Sequence, residues 1–201
     1  AAALAKSRLQ DATLFGTTGE SKIGINRREQ LPDGKIILGE NPDGPVDREV
    51  ILIEARNESG DMIGRLGNFA CHGTMLSQRN YQLSGDWPGL AASKLEADGK
   101  PPFVFLNGGC ANIAPRDDRQ ESFERVEALS SEFSSDVNEM IAGLDALSED
   151  DTVAGAVLDV YLPRKLRDIE EGMGKVCQVR IQGVRIGPLK IIGFPGEVFA
   201  Q

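Results

Sequence analysis

Three segments of the sequence place polar or small residues directly after an apolar strand, where α/β proteins usually carry their functional groups. The first, residues 68–74, contains His72, the only histidine of the chain. The second, residues 107–115, could present backbone N–H groups to an anion or an oxyanion. The third, residues 194–197, ends in the carboxylate of Glu197. These segments are the first candidates for chemistry.

Each segment also has a purely structural interpretation. A lone histidine is more often structural than functional. A tight turn explains residues 107–115 almost as well as an anion site does. Taken alone, Glu197 is a solvated loop acid. Residue types and spacing leave these alternatives open.

The N-terminal half contains a predicted helix and a predicted hairpin. Residues 1–15 are rich in helix formers, with leucines on one side and a glycine at the end, which predicts a surface helix. Residues 50–56 alternate between apolar and polar, and a turn at 58–61 leads into 62–71. This pattern predicts a β-hairpin that ends just before His72.

A helix and a strand are predicted after the hairpin. Asp86, placed before Trp87 and Pro88, suits a helix N-cap and predicts a helix that reaches about residue 98. Residues 103–106 then form a short, fully apolar strand. Strand, helix and strand in this order predict an α/β layer.

The C-terminal half combines one long helix with several strands. Asp118 and Glu121 have capping-box spacing, and apolar residues recur at helical intervals from Phe123 to Leu147, which predicts a long amphipathic helix. Strands are predicted over 153–162, 176–186 and 189–194. We therefore expect an α/β (mixed α+β) fold, with a mixed parallel and antiparallel sheet covered by helices, in a single domain over residues 1–201.

Composition and charge exclude several classes of protein. With 40% hydrophobic residues the chain can build a buried core. Acidic residues outnumber basic ones, 31 to 22, and the net charge of −9 would repel a phosphate backbone, so nucleic acid is not an expected partner. No apolar stretch approaches the roughly 20 residues that cross a bilayer, so no transmembrane segment is expected. The three cysteines, Cys71, Cys110 and Cys177, lack CxxC spacing and are predicted to be buried free thiols.

Five short motifs stand in one order along the chain. They are Gly24-Ile25-Asn26-Arg27-Arg28, Ala70-Cys71-His72-Gly73-Thr74, Ser84-Gly85-Asp86-Trp87-Pro88-Gly89, the segment 103–115, and Phe194-Pro195-Gly196-Glu197. In this order the sequence resembles the neutral or alkaline, non-lysosomal ceramidase family. The match spans most of the chain, and the ordered set is much more specific than any single motif.

The resemblance implies a catalytic Zn²⁺ with His72 and Glu197 as two of its ligands, since imidazole and carboxylate both suit this metal. It implies that Arg27 lies near the reacting amide, where a guanidinium can hold a carboxylate product or the developing oxyanion. From sequence alone, an Arg27 that only balances an acidic surface is the alternative. Asn112 is the second catalytic candidate, whereas Asp86 is interpreted as a helix cap. We expect His72, Glu197, Arg27 and the turn at 108–114 to converge on one cleft.

Two departures from the family pattern limit the expected activity. Ala114 stands where the family has a Ser that acts at the scissile carbonyl, and its methyl group cannot transfer an acyl group. The family's His-x-His motif and Tyr ligand have no counterpart in these 201 residues, whereas a catalytic zinc needs about three protein ligands. We therefore interpret the chain as an incomplete part of a larger catalytic domain that binds zinc weakly or not at all by itself.

The leading hypothesis is a ceramidase-like, zinc-dependent hydrolase of linear N-acyl amides, inactive in this shortened form. Its substrate would be a small-molecule or lipid-like N-acyl amide. The alternative is a non-catalytic binding or interaction domain that retains the fold after losing the Ser. A third hypothesis is a zinc hydrolase of esters or phosphates on the same scaffold. The resemblance is to secreted or periplasmic enzymes, although the first residues lack a signal-peptide pattern.

Overall fold

The computed structural model describes residues 2–77, 79–117 and 121–200 of the 201-residue chain. Its contacts divide the chain into two compact units. Unit 1 consists of Ala1–Leu147 with Phe199–Gln201, and unit 2 consists of Ser148–Val198. That residues 1–201 form one domain within a larger catalytic domain stays a prediction.

The described residues form the following helices and strands. In unit 1 they are α1 (Ala2–Ser7), β1 (Thr13–Glu20), β2 (Gly24–Gln30), β3 (Ile36–Asn41), β4 (Glu49–Arg56), β5 (Met62–Phe69), α2 (Asp86–Leu95), β6 (Phe103–Asn107), β7 (Ile113–Pro115), α3 (Phe123–Met140) and β8 (Asp145–Ala146), with 3₁₀ turns at Ala97–Gly99 and Ile141–Gly143. In unit 2 they are β9 (Val153–Pro163), α4 (Leu166–Glu170), β10 (Val176–Ile186) and β11 (Leu189–Gly193).

A five-stranded sheet in the order β6-β5-β4-β1-β8 forms the centre of unit 1. β4 and β5 form the predicted antiparallel hairpin, with Val50 opposite Phe69. β5 and β6 are parallel, with Phe69 beside Asn107, and α2 lies in the crossover between them. The predicted fold class, with parallel and antiparallel pairs in one sheet and helices packed against it, is confirmed.

The core of unit 1 lies between this sheet and the helices α2 and α3. Phe133 of α3 is fully buried, and its ring centroid lies 5.2 Å from Trp87, 5.5 Å from Phe69 and 6.0 Å from Phe105. Aromatic pairs in tilted or edge-to-face geometry stabilise a core beyond the area that they bury. This aromatic cluster therefore fixes α2 and α3 against strands β5 and β6.

A second sheet of unit 1, in the order β3-β2-β7, carries two of the motifs. β2 pairs with β7, with Ile25 opposite Ala114 and Asn26 opposite Ile113. A Cβ atom at Gly24 would lie 2.9 Å from the side chain of Ile113. Glycine at this position permits the close approach of the two strands.

Unit 2 contains a three-stranded antiparallel sheet in the order β11-β10-β9. β9 and β10 pair over their full length, from Val153 opposite Ile186 to Pro163 opposite Val176. A two-residue turn that begins at Gly187, with φ +57°, joins β10 to β11. The three strands predicted for this region are confirmed.

The predicted N-terminal helix over residues 1–15 is wrong beyond Ser7, where α1 ends. Residues 13–15 belong to β1, which pairs with β4. Gly16, the predicted end of this helix, and Gly19 are both residues of β1. A Cβ at Gly16 would lie 3.1 Å from Leu147, and one at Gly19 would lie 2.8 Å from Met140. Strand pairing and close packing against these side chains override the local helix propensity.

The predicted long helix is confirmed as α3, but its ends differ from the prediction. The N-cap is Ser122, whose Oγ accepts a hydrogen bond from the Arg125 N–H at 3.2 Å. The predicted cap at Asp118 lies outside the described residues. The helix ends at Met140, so Leu147 lies beyond it and follows β8.

The structure also bears on the predicted burial of the cysteines and on membrane-spanning helices. Cys71 and Cys110 are buried, as predicted, whereas Cys177 is partly exposed, which differs from the prediction. Within the described ranges, no helix combines the length and apolar character needed to span a membrane.

Candidate active site

β2 holds Arg27 against the turn that precedes β7. The backbone N–H of Arg27 donates to the Asn112 carbonyl at 2.8 Å, and its Nε donates to the Ala111 carbonyl at 3.0 Å. A guanidinium stays charged at any working pH. The structure therefore places a permanent positive charge beside the 108–114 turn.

The segment after β5 meets the same turn. The His72 N–H donates to the Ile113 carbonyl at 3.2 Å, and the His72 carbonyl accepts from the indole Nε1 of Trp87 at 2.8 Å. The Nε2 atom of the His72 imidazole is shielded from solvent. Backbone bonds on both sides thus fix His72, so that the motifs of Arg27, His72 and the 108–114 turn lie together in unit 1.

Asp86 fixes the loop that follows His72. Its carboxylate accepts backbone N–H bonds from Met75 at 3.1 Å, from Leu76 at 2.7 Å and from Trp87 at 2.8 Å. Only 7% of Asp86 is exposed. One carboxylate therefore ties the loop to the start of α2, and charge-assisted bonds of this kind are among the stronger hydrogen bonds in proteins.

The predicted role of Asp86 as the N-cap of α2 is wrong. Gly85 occupies the N-cap position and makes no side-chain capping bond. Asp86 is already the first residue of the helix, and its φ of +54° is unusual for a residue other than glycine. Strain of this type persists where surrounding contacts enforce it, and here the loop bonds of the carboxylate do so.

Asn112 is a fully buried residue at the centre of several hydrogen bonds. Its Nδ2 donates to the Pro45 carbonyl at 3.3 Å, and its Oδ1 accepts from the Ala200 N–H at 3.0 Å. Asn26 donates to the same Pro45 carbonyl at 2.9 Å. These bonds position the turn beside Arg27, and the catalytic role of Asn112 stays a prediction.

A cleft of about 670 Å³ opens beside these segments. It is lined by Arg27, Leu38, Thr74, Leu76, Ser77, Arg79 and Glu121. Thr74 follows His72 by two positions, so two of the motif segments reach the cleft. Its volume is in the range of small-molecule sites, which are commonly about 300–1,000 Å³.

Arg79 and Glu121 form an ion pair in the wall of the cleft. The Nε of Arg79 donates to Oε2 of Glu121 at 2.8 Å, and its Nη2 donates to the same oxygen. A hydrogen bond with Ser77, reinforced by Arg79, holds the pKa of the Glu121 carboxyl below its ordinary value. Glu121 is therefore ionised at neutral pH, and two guanidinium groups and one carboxylate line the cleft.

Glu197, the other predicted metal ligand, lies in unit 2, in an exposed segment after β11. Its convergence with His72 stays a prediction. In the part of the chain that the structure describes, no group of three or more His, Cys, Asp or Glu side chains is arranged to hold a metal ion. His72 and Glu197 are only two ligands, whereas a catalytic zinc site has about three protein ligands.

Sequence reasoning missed most of the cleft. Leu38 lies on β3, and Ser77 and Arg79 lie in the loop after His72, where no periodic pattern marks them. Glu121 carried a signal only as part of a capping box. The motif Ser84-Gly85-Asp86 is visible in the sequence, but only the fold shows that the Asp86 carboxylate binds the backbone of the loop after His72.

No family model matches the chain, and no curated protein matches its sequence. Among the solved structures that it matches is the neutral ceramidase of Pseudomonas aeruginosa, with a TM-score of 0.68 and 17% identity over 96% of this chain and 41% of that one. A ceramidase complexed with C2 gives a TM-score of 0.67 and 19% identity over 96% of this chain and 43% of that one. The chain spans about two fifths of the length of these structures. Over that part, its fold is ceramidase-like.

Proposed function

We propose that this chain is part of a ceramidase-like, zinc-dependent hydrolase of linear N-acyl amides. The observation that carries the proposal is the meeting of Arg27, the His72 segment and the 108–114 turn beside a cleft of about 670 Å³. The similarity in fold to solved ceramidases supports the same assignment. The activity and the lipid-like substrate are parts of this proposal.

Within the proposal, the residues of this chain bind and orient the amide. The guanidinium of Arg27, whose Nε is anchored at Ala111, holds the developing oxyanion or the carboxylate product. His72 and Glu197 would supply two zinc ligands, and the remaining ligands would come from residues outside this chain. Zinc, when bound, lowers the pKa of a water molecule towards 7.

Ala114 separates this proposal from a mechanism that depends on Ser. It is 1% exposed and lies opposite Ile25 in β7. Its methyl group offers neither a nucleophile nor a proton, so hydrolysis would use water without an acyl-enzyme. The same observation favours a second candidate function, a non-catalytic domain that binds N-acyl amides.

Hydrolysis of a short-chain ceramide by the natural full-length protein tests the proposal. We expect release of fatty acid that a chelator abolishes and added zinc restores, and that His72→Ala removes. Arg27→Ala should lower kcat/KM on the order of 100-fold, since loss of one oxyanion donor has effects of this size. The matched control is Arg28→Ala, because Arg28 is the next residue of β2 and its guanidinium lies over the Phe199 ring, 5.4 Å from the centroid.

The possible results separate the two candidate functions. Turnover that survives His72→Ala would contradict the zinc assignment. Binding of the amide without turnover by the zinc-loaded protein would favour the binding domain. Turnover that appears only after Ala114→Ser would show that the natural protein has lost catalysis.

A further inference from the structure

The cleft beside Arg27 differs in charge from the chain as a whole. Arg27 and Arg79 contribute two positive charges and Glu121 one negative charge, whereas the whole chain has a net charge of −9. A concave surface with a net positive charge raises the local concentration of anionic ligands. The cleft is therefore suited to a ligand that carries an anionic group.

Only two nitrogen atoms of the Arg79 guanidinium donate hydrogen bonds to Glu121. Both of its bonds to the carboxylate go to the single oxygen Oε2, and the Arg79 side chain is 78% exposed. A guanidinium presents five N–H donors in a planar fork. The remainder of the fork is exposed and can receive a ligand carboxylate.

The local structure holds Arg79 in place before a ligand arrives. Its backbone N–H donates to the Ser77 Oγ at 3.2 Å, and Asp86 binds the backbone of the same loop at Leu76. The lowered pKa of Glu121 keeps the ion pair intact at neutral pH. A donor held in its bound orientation loses less entropy on binding, and a guanidinium fork matches a carboxylate in geometry.

We propose that Arg79 is a specificity residue that selects N-acyl amides with a carboxylate on the amine portion, that is, N-acyl amino acids. The inference rests on the proposed function of the cleft as the amide site. Arg27 lies at the amide, Arg79 binds the carboxylate, and Leu38 and Leu76 supply the apolar surface of the cleft for the acyl chain. A neutral amine portion, such as that of a ceramide, leaves the exposed edge of Arg79 in water.

Two ligands with the same acyl chain test this inference. Calorimetry with the natural full-length protein compares N-lauroylglycine with the neutral N-lauroylethanolamine. We expect an affinity about three- to fivefold higher for the acid, a modest preference because exposed charge pairs contribute little. The preference should decrease as salt concentration rises.

Substitutions in the Arg79–Glu121 ion pair test whether Arg79 causes the preference for the acidic ligand. Arg79→Gln should abolish it, so that the acid and the neutral ligand bind with equal affinity. Glu121→Gln should increase it, because the competing carboxylate is removed. The control Arg28→Ala removes a guanidinium next to Arg27 on β2 but outside the cleft lining, and it should leave the preference unchanged.

The outcomes distinguish this inference from the proposed function. Equal affinity for the two ligands, no binding of either, or a preference that survives Arg79→Gln would overturn the inference. If the acid binds preferentially but neither ligand is hydrolysed, the hydrolase function fails and the specificity of the cleft stands. If both are hydrolysed without preference, the function stands and the role of Arg79 fails.

Discussion

The two units are both rich in strands, but they differ in where their apolar side chains lie. Among the described residues, every fully buried hydrophobic side chain belongs to unit 1, including Phe69, Trp87 and Phe133. In unit 2, Val157 and Ile192 are 61% and 62% exposed. Unit 1 therefore has a hydrophobic core, and the described part of unit 2 has a sheet without one.

This difference indicates where stability originates. A small sheet needs an apolar face that is covered, since exposed apolar side chains stay hydrated and contribute nothing to the hydrophobic effect. The cleft and the motifs of Arg27 and His72 lie on unit 1, so they are attached to the well-packed part of the chain. Trp87 is the only tryptophan, and its fluorescence reports on unit 1 alone.

The largest expected effect is that of Phe133→Ala. Phe133 is fully buried among three aromatic rings, so the substitution leaves a cavity and should lower the free energy of unfolding by about 3–5 kcal/mol. Urea unfolding followed by Trp87 fluorescence and circular dichroism measures it. The control Val157→Ala, in unit 2, should change the free energy by less than about 0.5 kcal/mol. Equal losses would mean that unit 2 has a core of its own.

Asp86→Ala should have the next largest effect. It leaves the N–H groups of Met75, Leu76 and Trp87 without their acceptor, and we expect a loss of about 3 kcal/mol in the free energy of unfolding. Asp86→Asn should cost less, because one amide oxygen still accepts. Asp98→Ala is the matched control, since Asp98 has a similar φ of +61° but is exposed. If the two alanine variants lose the same stability, backbone strain accounts for the effect rather than the loop bonds.

Glu54→Gln should have an intermediate effect that depends on pH. The Glu54 carboxylate is 2% exposed and binds Arg56 at 2.5 Å and Arg65 at 2.6 Å. Burial raises the pKa of Glu54, but hydrogen bonds from the two arginines outweigh it, so the pKa lies below its ordinary value. A lowered carboxyl pKa stabilises the fold above the unfolded-state value of 4.5, and this contribution is lost as pH falls through the folded-state pKa.

Urea unfolding across the acid range measures the effect of Glu54→Gln. We expect a loss of about 2 kcal/mol at neutral pH, because one member of a largely buried ion pair is removed. The variant should also show a flatter decline of stability in acid than the natural chain. The exposed turn residue Glu58, changed to Gln, is the control. An unchanged acid dependence in Glu54→Gln would contradict the assigned pKa direction.

The smallest effect is expected for Asp159→Asn in unit 2. Asp159 accepts a hydrogen bond from the Arg180 Nε at 2.8 Å. This bond holds the pKa of the Asp159 carboxyl below its ordinary value. The pair is exposed, so its contribution should be small and should disappear at high salt. Thermal unfolding at low and high ionic strength, followed by circular dichroism, measures it. A loss that is large and insensitive to salt would show that this surface is buried in solution.

Elements with a local signal were predicted from the sequence, and those that depend on distant partners were not. The β4–β5 hairpin follows from alternation and a turn with Gly60 at φ +84°, and α3 follows from its helical period. The residues before β1 are rich in alanine and leucine, which favour a helix. The strand conformation of β1 depends on its pairing with β4, which is distant in sequence. Gly16 was expected to end a helix, but in the fold Gly16 and Gly19 are strand residues that permit close packing of neighbouring side chains.

The candidate site likewise contains residues that local motifs predict and residues that only the tertiary structure brings together. Motifs located His72, Arg27 and the 108–114 turn, because each directly adjoins or belongs to a strand. Arg79 and Glu121 are 42 residues apart and meet only through tertiary structure. No spacing rule connects two loop residues at that separation, so the ion pair and the charge of the cleft could not be predicted.

The parallel pairing of β5 and β6 has a consequence for the order in which the chain folds. The Nδ2 of Asn68 donates to the carbonyl of Leu106, 38 residues away, so this pair can form only by closing a long loop that includes α2. Such a pairing is slow compared with closing the β4–β5 hairpin. The amide protons of Met75 and Leu76, which Asp86 holds, should therefore become protected in the slowest phase of pulse-labelled refolding. A nascent chain would complete its hairpin well before it could bind any ligand.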